Sequence, residues 1–321
     1  MRNAHRRPPL GFTLVELMVV LIIISILASV VMFAMFNAQE AARAAKTKNM
    51  VTKLNAVIMQ RYQSYMTRRV PLASPQSTPE QASFRFRRLQ VLRELMRMEM
   101  PDRWTDVRDE PVTGIRPPAV RRTYYQKINA ANNGNGVNDG DSFQGAECLY
   151  LIMAHGTDDA DALTHFSQSD FGDVDGDGLL EFLDGWGRPI SFIRWPAGFD
   201  SPRQSRNETK DFDQFNPWRI LDRPTTANPP TPPGLPRRFA LFPLIYSGGA
   251  DKKYDLAAGV EGAGGAAVAV HYSVAANPLP FVDPYLTLPN STVQMGQPND
   301  NDVDGSLDHG DNIHNHDLTI R

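Results

Sequence analysis

The segment from Phe12 to Phe36 most limits what this chain can fold into. It is a continuous apolar run that contains one charged residue, Glu16, and a basic leader of residues 1–11 precedes it. A helix needs about 20 mainly apolar residues to cross a bilayer, so this run is long enough. A carboxylate inside such a helix costs about 2.5–3.5 kcal/mol on insertion and therefore needs a partner. We expect the chain to be anchored in a membrane by its N-terminal helix.

An ordinary secretory signal peptide, or a plain membrane anchor, is the competing interpretation. A signal peptide has a shorter apolar core with a small-residue cleavage site behind it. Here the apolar run continues directly into Asn37–Arg43, which favours helix and contains no turn signal. No Pro or Gly occurs between Phe12 and Val70, which predicts one helix whose half over residues 37–70 is amphipathic.

The decapeptide Gly11–Val20, GFTLVELMVV, resembles the class III signal of type IV prepilins and type II secretion pseudopilins. In those families a prepilin peptidase cuts after the glycine, the new N-terminal Phe is methylated, and the fifth mature residue is a glutamate. Counted from Phe12, the fifth residue is Glu16. The resemblance implies cleavage between Gly11 and Phe12. It also implies assembly through residues 12–36, in which Glu16 pairs with the free amine of Phe12 on a neighbouring subunit.

Residues 71–321 are predicted to form a globular head. A second amphipathic helix is predicted over Arg85–Met100, as an ordinary surface helix packed on a core, and a short one through Glu147–Met153. Candidate strands are Pro189–Arg194, Phe239–Tyr246, Ala266–Val274 and Asp317–Arg321. The expected fold class is α+β and pilin-like, with a long N-terminal helical spine and a mostly antiparallel sheet with long calcium-binding loops.

Residues Asp173–Asp184, DVDGDGLLEFLD, have the spacing of a calcium-binding loop. Ca²⁺ takes six to eight oxygen ligands, and this spacing wraps side-chain oxygens around one ion with Gly178 at the sharp turn. An acidic solvated turn without metal is the alternative. The predicted ligands are the side chains of Asp173, Asp175, Asp177, Glu181 and Asp184, and the backbone carbonyl of Leu179.

Two further motifs resemble segments of the major pseudopilins. Asp184–Pro189, DGWGRP, resembles the D-x-W-G-x-P motif that opens the first strand of the head. Ser247–Asp251, SGGAD, resembles a segment whose loop binds Ca²⁺ in that family. On that resemblance a second calcium site would use Ser247, Asp251 and Asp255, with remaining ligands from Asp302, Asp304, Asp308 or Asp311.

The resemblance implies a structural subunit of a type II secretion pseudopilus. Its partners would be the prepilin peptidase, other pseudopilins or copies of itself in a helical filament, and an inner-membrane assembly platform. It would cross the inner membrane once, with the head in the periplasm. The alternative is a minor or surface type IV pilin whose head binds a partner or surface. Residues 71–145 and 256–321 exceed what a major pseudopilin needs, so major and minor roles both stay open.

Other function classes find little support in the sequence. No phosphate-binding glycine loop, G-x-S-x-G or H-E-x-x-H motif occurs, so no enzymatic role is predicted. The net charge of −3 and the acidic head argue against nucleic acid. Cys148 is the single cysteine, which excludes an intrachain disulfide, and no Cys/His pattern supports zinc.

Overall fold

The computed structural model describes residues 13–70, 72, 78–112, 114–131, 143–157, 162–204, 212–220, 238–257, 283–285, 293–299 and 308–318. The leader, Gly11 and Phe12, the predicted strand Ala266–Val274, and Asp302 and Asp304 lie outside these residues. The chain divides into two compact units, Met1–Arg43 and Ala44–Arg321.

Helix α1 is continuous over Leu14–Thr67, as the absence of Pro and Gly predicts. In the first unit its large apolar side chains are exposed on all sides, from 49% for Val19 to 74% for Leu14. This stretch is long and apolar enough to cross a membrane, and none of it is buried inside the structure. A helix that is apolar all round requires lipid or other helices around it.

The core of the second unit forms around the later part of α1. Its buried residues recur at spacings of three and four: Thr47, Met50, Val51, Leu54, Ile58, Met59, Tyr62 and Tyr65. Apolar side chains from α2, α5 and the strands join them in one cluster, among them Met96, Leu149, Phe182 and Ile245. The predicted amphipathic half of the helix is therefore present as a core-packing face.

The remaining helices are short apart from the second. They are α2 (Thr78–Glu99), α3 (Trp104–Arg108), α4 (Ala119–Ala131), α5 (Gln144–Leu151) and α6 (Asn315–Leu318). A π-helical turn, Ile152–Gly156, continues α5, and 3₁₀ turns cover Ala162–His165, Gln168–Asp170 and Asp308–Asp311.

Two small antiparallel sheets complete the described part of the head. The strands are β1 (Phe171–Gly172), β2 (Glu181–Phe182), β3 (Ser191–Ile193), β4 (Leu244–Ser247) and β5 (Ile313–His314). β1 pairs with β2, and the second sheet has the order β3-β4-β5. The register places Phe171 opposite Phe182, Ser191 opposite Tyr246, and Tyr246 opposite His314. A long helix followed by small antiparallel sheets confirms the α+β, pilin-like fold class.

The predicted strand Asp317–Arg321 is wrong where the structure describes it. Asn315–Leu318 is helical, and the strand that pairs with β4 is Ile313–His314. Asn315 explains the change, because its side-chain Oδ1 accepts a hydrogen bond from the Ile245 backbone at 3.0 Å. The Asn315 side chain thus accepts the β4 backbone hydrogen bond that a neighbouring strand would otherwise accept. The chain can therefore turn into α6 at this point.

Helix α2 packs on the core, as predicted, but its second half is buried and is not a surface helix. Every residue from Leu89 to Met100 is buried, including Arg93 and Arg97. Arg93 Nη2 lies 2.6 Å from Asp213 Oδ2, and Arg97 Nη2 lies 2.7 Å from Glu94 Oε1. Buried guanidinium groups persist only with such partners, so charges on this helix face inward toward carboxylates.

Glu99 links α2 to the end of α1, and its removal should destabilise the head. Its carboxylate accepts from Arg61 Nη2 at 2.9 Å, Tyr65 OH at 2.6 Å and Arg68 Nη2 at 2.7 Å. We expect Glu99→Ala to lower the free energy of unfolding by about 3 kcal/mol, at the low end for a broken buried pair because Arg68 is partly exposed. Glu40→Ala, which breaks an exposed pair with Arg43, is the control and should change it by less than about 1 kcal/mol. Denaturant titration of the full-length chain in detergent measures both, and equal effects would contradict this role for Glu99.

His316 should make the head sensitive to acid. The ring is buried, its Nδ1 lies 2.8 Å from Ser201 Oγ, and its Nε2 lies 3.2 Å from the Pro243 carbonyl. Burial, reinforced by His314, lowers the pKa of His316 to about 3. Because an unfolded histidine titrates near 6.5, this contribution is present above about pH 6.5 and is lost as the pH falls toward 3.

At pH 4.5 the contribution of His316 to the free energy of unfolding should be about 2–3 kcal/mol smaller than above pH 6.5. His316→Gln should flatten this part of the pH profile of the unfolding free energy, whereas His165→Gln, at an exposed position, should leave it unchanged. If the pH profile of His316→Gln equalled that of the wild type, His316 would not be the source of the acid sensitivity.

Candidate functional site

The N-terminus of α1 carries a capping box that motif matching overlooked. Thr13 N and Thr13 Oγ1 each donate to Glu16 Oε2 at 2.9 Å, and Glu16 N donates to Thr13 Oγ1 at 3.2 Å. This reciprocal pattern satisfies backbone donors that a helix start leaves unpaired. The signal was readable, since Thr followed three residues later by Glu before an apolar run is typical of a helix start. Glu16 therefore has a structural role within its own chain.

The acidic loop Asp173–Leu180 connects β1 to β2, so it is the turn of an antiparallel hairpin. Gly176 and Gly178 have φ values of 80° and 95°, which only glycine adopts without strain. One carboxylate oxygen from each of Asp173, Asp175 and Asp177 lies within 4.8 Å of the others. The predicted first part of the calcium loop is thus brought together in space.

Backbone amides hold the aspartates of this loop in place. Asp173 accepts from Gly176 N at 2.7 Å and from Gly178 N at 3.0 Å, one bond to each oxygen. Asp177 Oδ1 accepts from Leu179 N at 2.7 Å. Both oxygens of Asp173 therefore stabilise the conformation of the loop. In contrast, Asp177 Oδ2 is buried with no hydrogen-bond partner among the described residues.

A second group of carboxylates lies beneath the loop and includes a residue that sequence reasoning missed. Glu147, Asp175 and Glu181 also have carboxylate oxygens within 4.8 Å of one another. Glu147 belongs to the first turn of α5, and both glutamates are fully buried. Asp175 is common to the two groups, so the acidic centre extends from the exposed loop into the head.

Burial and mutual repulsion raise the pKa values of these carboxyl groups. Burial raises the pKa of Glu147 well above its usual value, and the nearby Asp177, Asp175 and Glu181 add to the effect. Burial together with the loop aspartates raises the pKa of Glu181 to about 8. A bound cation would oppose both effects, because it favours the ionised carboxylates.

The predicted ligand Asp184 is not brought into this centre. Its Oδ1 accepts from Trp186 N at 2.8 Å and from Arg188 N at 2.9 Å. Its Oδ2 accepts from Ser247 Oγ at 2.6 Å. Asp184 thus closes the turn of the DGWGRP segment and joins it to the end of β4. Leu179 lies at the loop, with its side chain buried against α3–α5 residues such as Trp104 and Cys148.

The second predicted calcium site is only partly assembled in the described residues. Ser247 donates to Asp184, and Asp251 Oδ1 accepts from Lys253 N at 2.9 Å. Asp311 does reach this loop, since its Oδ2 accepts from Ala250 N at 3.2 Å. Neither carboxylate group found among the described residues includes Asp251 or Asp255. Calcium binding at this loop stays a prediction.

The role of Asp184 as a turn residue can be separated from a role as a metal ligand. We expect Asp184→Ala to lower the free energy of unfolding by about 2–4 kcal/mol, because buried donors lose their acceptor. Ser247→Ala removes one of these bonds and should cost about 1 kcal/mol. The Asp184 effect should be equal in EDTA and in CaCl₂, measured by denaturation of the full-length chain. A loss that occurs only in CaCl₂ would instead make Asp184 a calcium ligand.

Comparison with known proteins identifies the N-terminal segment. Residues 6–32 match the model of the prokaryotic N-terminal methylation motif. No curated protein and no solved structure matches the chain. The matched segment contains Gly11, Phe12 and Glu16 and extends through much of the exposed apolar part of α1. With this motif and an apolar helix long enough to cross a bilayer, the chain is a membrane-anchored, type IV pilin-like precursor of the kind that prepilin peptidase processes.

Proposed function

We propose that this chain is a structural subunit of a type II secretion pseudopilus. In this proposal it crosses the inner membrane once, with its head in the periplasm, and is cut between Gly11 and Phe12. An inner-membrane assembly platform then adds it to a helical filament of other pseudopilins or of its own copies. It has no catalytic role.

The observation that carries this proposal is the exposed apolar surface of α1. Large apolar side chains from Leu14 to Phe36 are about half or more exposed, around the whole helix. Removing such surface from water yields about 25 cal/mol per Å², so the segment is stable only in lipid or among similar helices. A filament core of parallel copies provides the second environment once the subunit leaves the membrane.

Glu16 gives this apolar surface a register. Both hydrogen bonds from Thr13 go to Oε2, so Oε1 can accept from the amine that cleavage creates on a neighbouring Phe12. A carboxylate left unpaired in an apolar core is strongly unfavourable, whereas the pair removes most of that penalty. Only the alignment that joins the two groups is then favourable, which defines the stagger between subunits.

The capping role and the pairing role of Glu16 can be separated by two substitutions. Glu16→Gln keeps a capping-box side chain and removes the charge, whereas Thr13→Ala removes the cap and keeps the charge. We expect Glu16→Gln to be cleaved normally but to lose filament assembly, while Thr13→Ala loses about 1 kcal/mol of helix stability and still assembles. Mass spectrometry of the mature chain and sedimentation of crosslinked filaments measure the two steps. Glu40→Gln, on the same helix outside the matched motif, is the control.

Normal assembly of Glu16→Gln would contradict pairing through this carboxylate. The abundance of the chain in the filaments tests the pseudopilus assignment further. A main building block forms most of the filament mass, whereas a minor or surface pilin would be present in few copies or only at the tip.

A further inference from the structure

The contact between α5 and the β1–β2 hairpin contains carboxylates from three separate positions of the chain. Glu147 comes from α5, Asp175 from the loop and Glu181 from β2. Their nearest oxygens all lie within 4.8 Å of one another. Like charges at such distances repel, so the three groups stay together either by holding protons or by binding a cation.

Each of the two glutamates in this group has one buried, unsatisfied oxygen. Glu147 Oε1 and Glu181 Oε1 are buried and have no hydrogen-bond partner among the described residues. The second oxygen of each is held in place: Trp104 Nε1 donates to Glu147 Oε2, and Val174 N donates to Glu181 Oε2 at 3.1 Å. Each carboxylate is thus oriented by one oxygen and leaves the other available. An unpaired buried oxygen costs about 1–3 kcal/mol, and a charged one costs more.

We propose that Glu147, Asp175 and Glu181 bind a Ca²⁺ ion that joins helix α5 to the β1–β2 hairpin. Hard carboxylate oxygens are the ligands that Ca²⁺ prefers, and each carboxylate can bind through one or both oxygens. Zn²⁺ prefers Cys and His ligands, and these three residues include neither. The site differs from an EF-hand, because the ligand that closes it comes from α5 and not from Asp184.

The ion acts as a crosslink in a head that cannot form an intrachain disulfide. The only cysteine, Cys148, is buried next to Glu147 and excludes an intrachain disulfide. Helix α5 packs closely on β3, since a Cβ on Gly145 would lie 2.9 Å from the Phe192 carbonyl. A cation at Glu147 therefore connects the hairpin, α5 and the second sheet. This site does not depend on the assembly function, and failure of either leaves the other intact.

Calcium binding by the full-length chain in detergent tests the proposal, after metal is removed with EDTA. Titration calorimetry with CaCl₂ should show saturable binding, and the melting temperature should rise with added Ca²⁺. Glu147→Gln keeps the size of the side chain and should weaken the affinity at least about 10-fold. Asp184→Asn is the matched control and should leave the affinity unchanged, whatever its effect on stability.

Tb³⁺, an oxygen-binding cation used in place of Ca²⁺, gives a second measurement that reports position. Because the Trp104 indole donates to Glu147, excitation of tryptophan should produce terbium emission that Ca²⁺ competes away. The emission should fall strongly in Trp104→Phe and in Glu147→Gln.

Two results would overturn the proposal. One is wild-type protein that binds no Ca²⁺ at millimolar concentration. The other is a Glu147→Gln variant that binds Ca²⁺ as well as wild type. If Asp184→Asn has at the same time lost binding, the ligands are those of the calcium-binding loop Asp173–Asp184.

Discussion

The apolar surface of α1 is the constraint on which the rest of this molecule depends. From Leu14 to Phe36 the helix exposes apolar side chains in every direction, which no folded head can cover with one face. From Thr47 onward the same helix changes to one buried stripe that ends at Tyr65. The change in pattern assigns the two stretches to different surroundings, lipid or sister helices for the first and a globular core for the second. Glu99, bound to Arg61 and Tyr65 of α1, then joins α2 to the second stretch.

Buried charge shapes the head as strongly as apolar packing does. Three of the buried arginines each reach an aspartate from another part of the chain: Arg93 with Asp213, Arg194 with Asp106, and Arg238 with Asp283. Such pairs add little net stability compared with apolar residues of the same volume, but losing one partner is costly. Their main consequence is therefore selectivity, because the short segments that carry Asp213 and Asp283 have one favourable position on α2 and its neighbours.

Residue periodicity and motif spacing predicted helices α1, α2 and α5, the apolar anchor and the clustered loop aspartates, but not helices α3, α4 and α6. They were insufficient wherever a side chain acts across the fold. Glu147 looks like an ordinary helix residue because its partners belong to a hairpin later in the chain. The spacing of the calcium-binding loop predicted Asp184 as a ligand. However, β2 begins at Glu181, and extended chain at about 3.3 Å per residue takes Asp184 away from the loop. Asn315 ends β5 and starts α6, where a strand over Asp317–Arg321 was predicted, through a side-chain hydrogen bond that no local propensity records.

The proposed contact between subunits at Glu16 and the proposed calcium site at Glu147 and Glu181 face the same physical problem. A carboxylate is placed where water is excluded, and its charge must be balanced by something outside its own element. At Glu16 the balancing group would be an amine supplied by another subunit, so only the correct alignment of subunits neutralises the charge. At Glu147 and Glu181 it would be a metal ion, which makes the charge a condition for a rigid head. The head of such a subunit would become rigid only where Ca²⁺ is present. The carboxylate on its apolar helix would be neutralised only in contact with a neighbouring subunit.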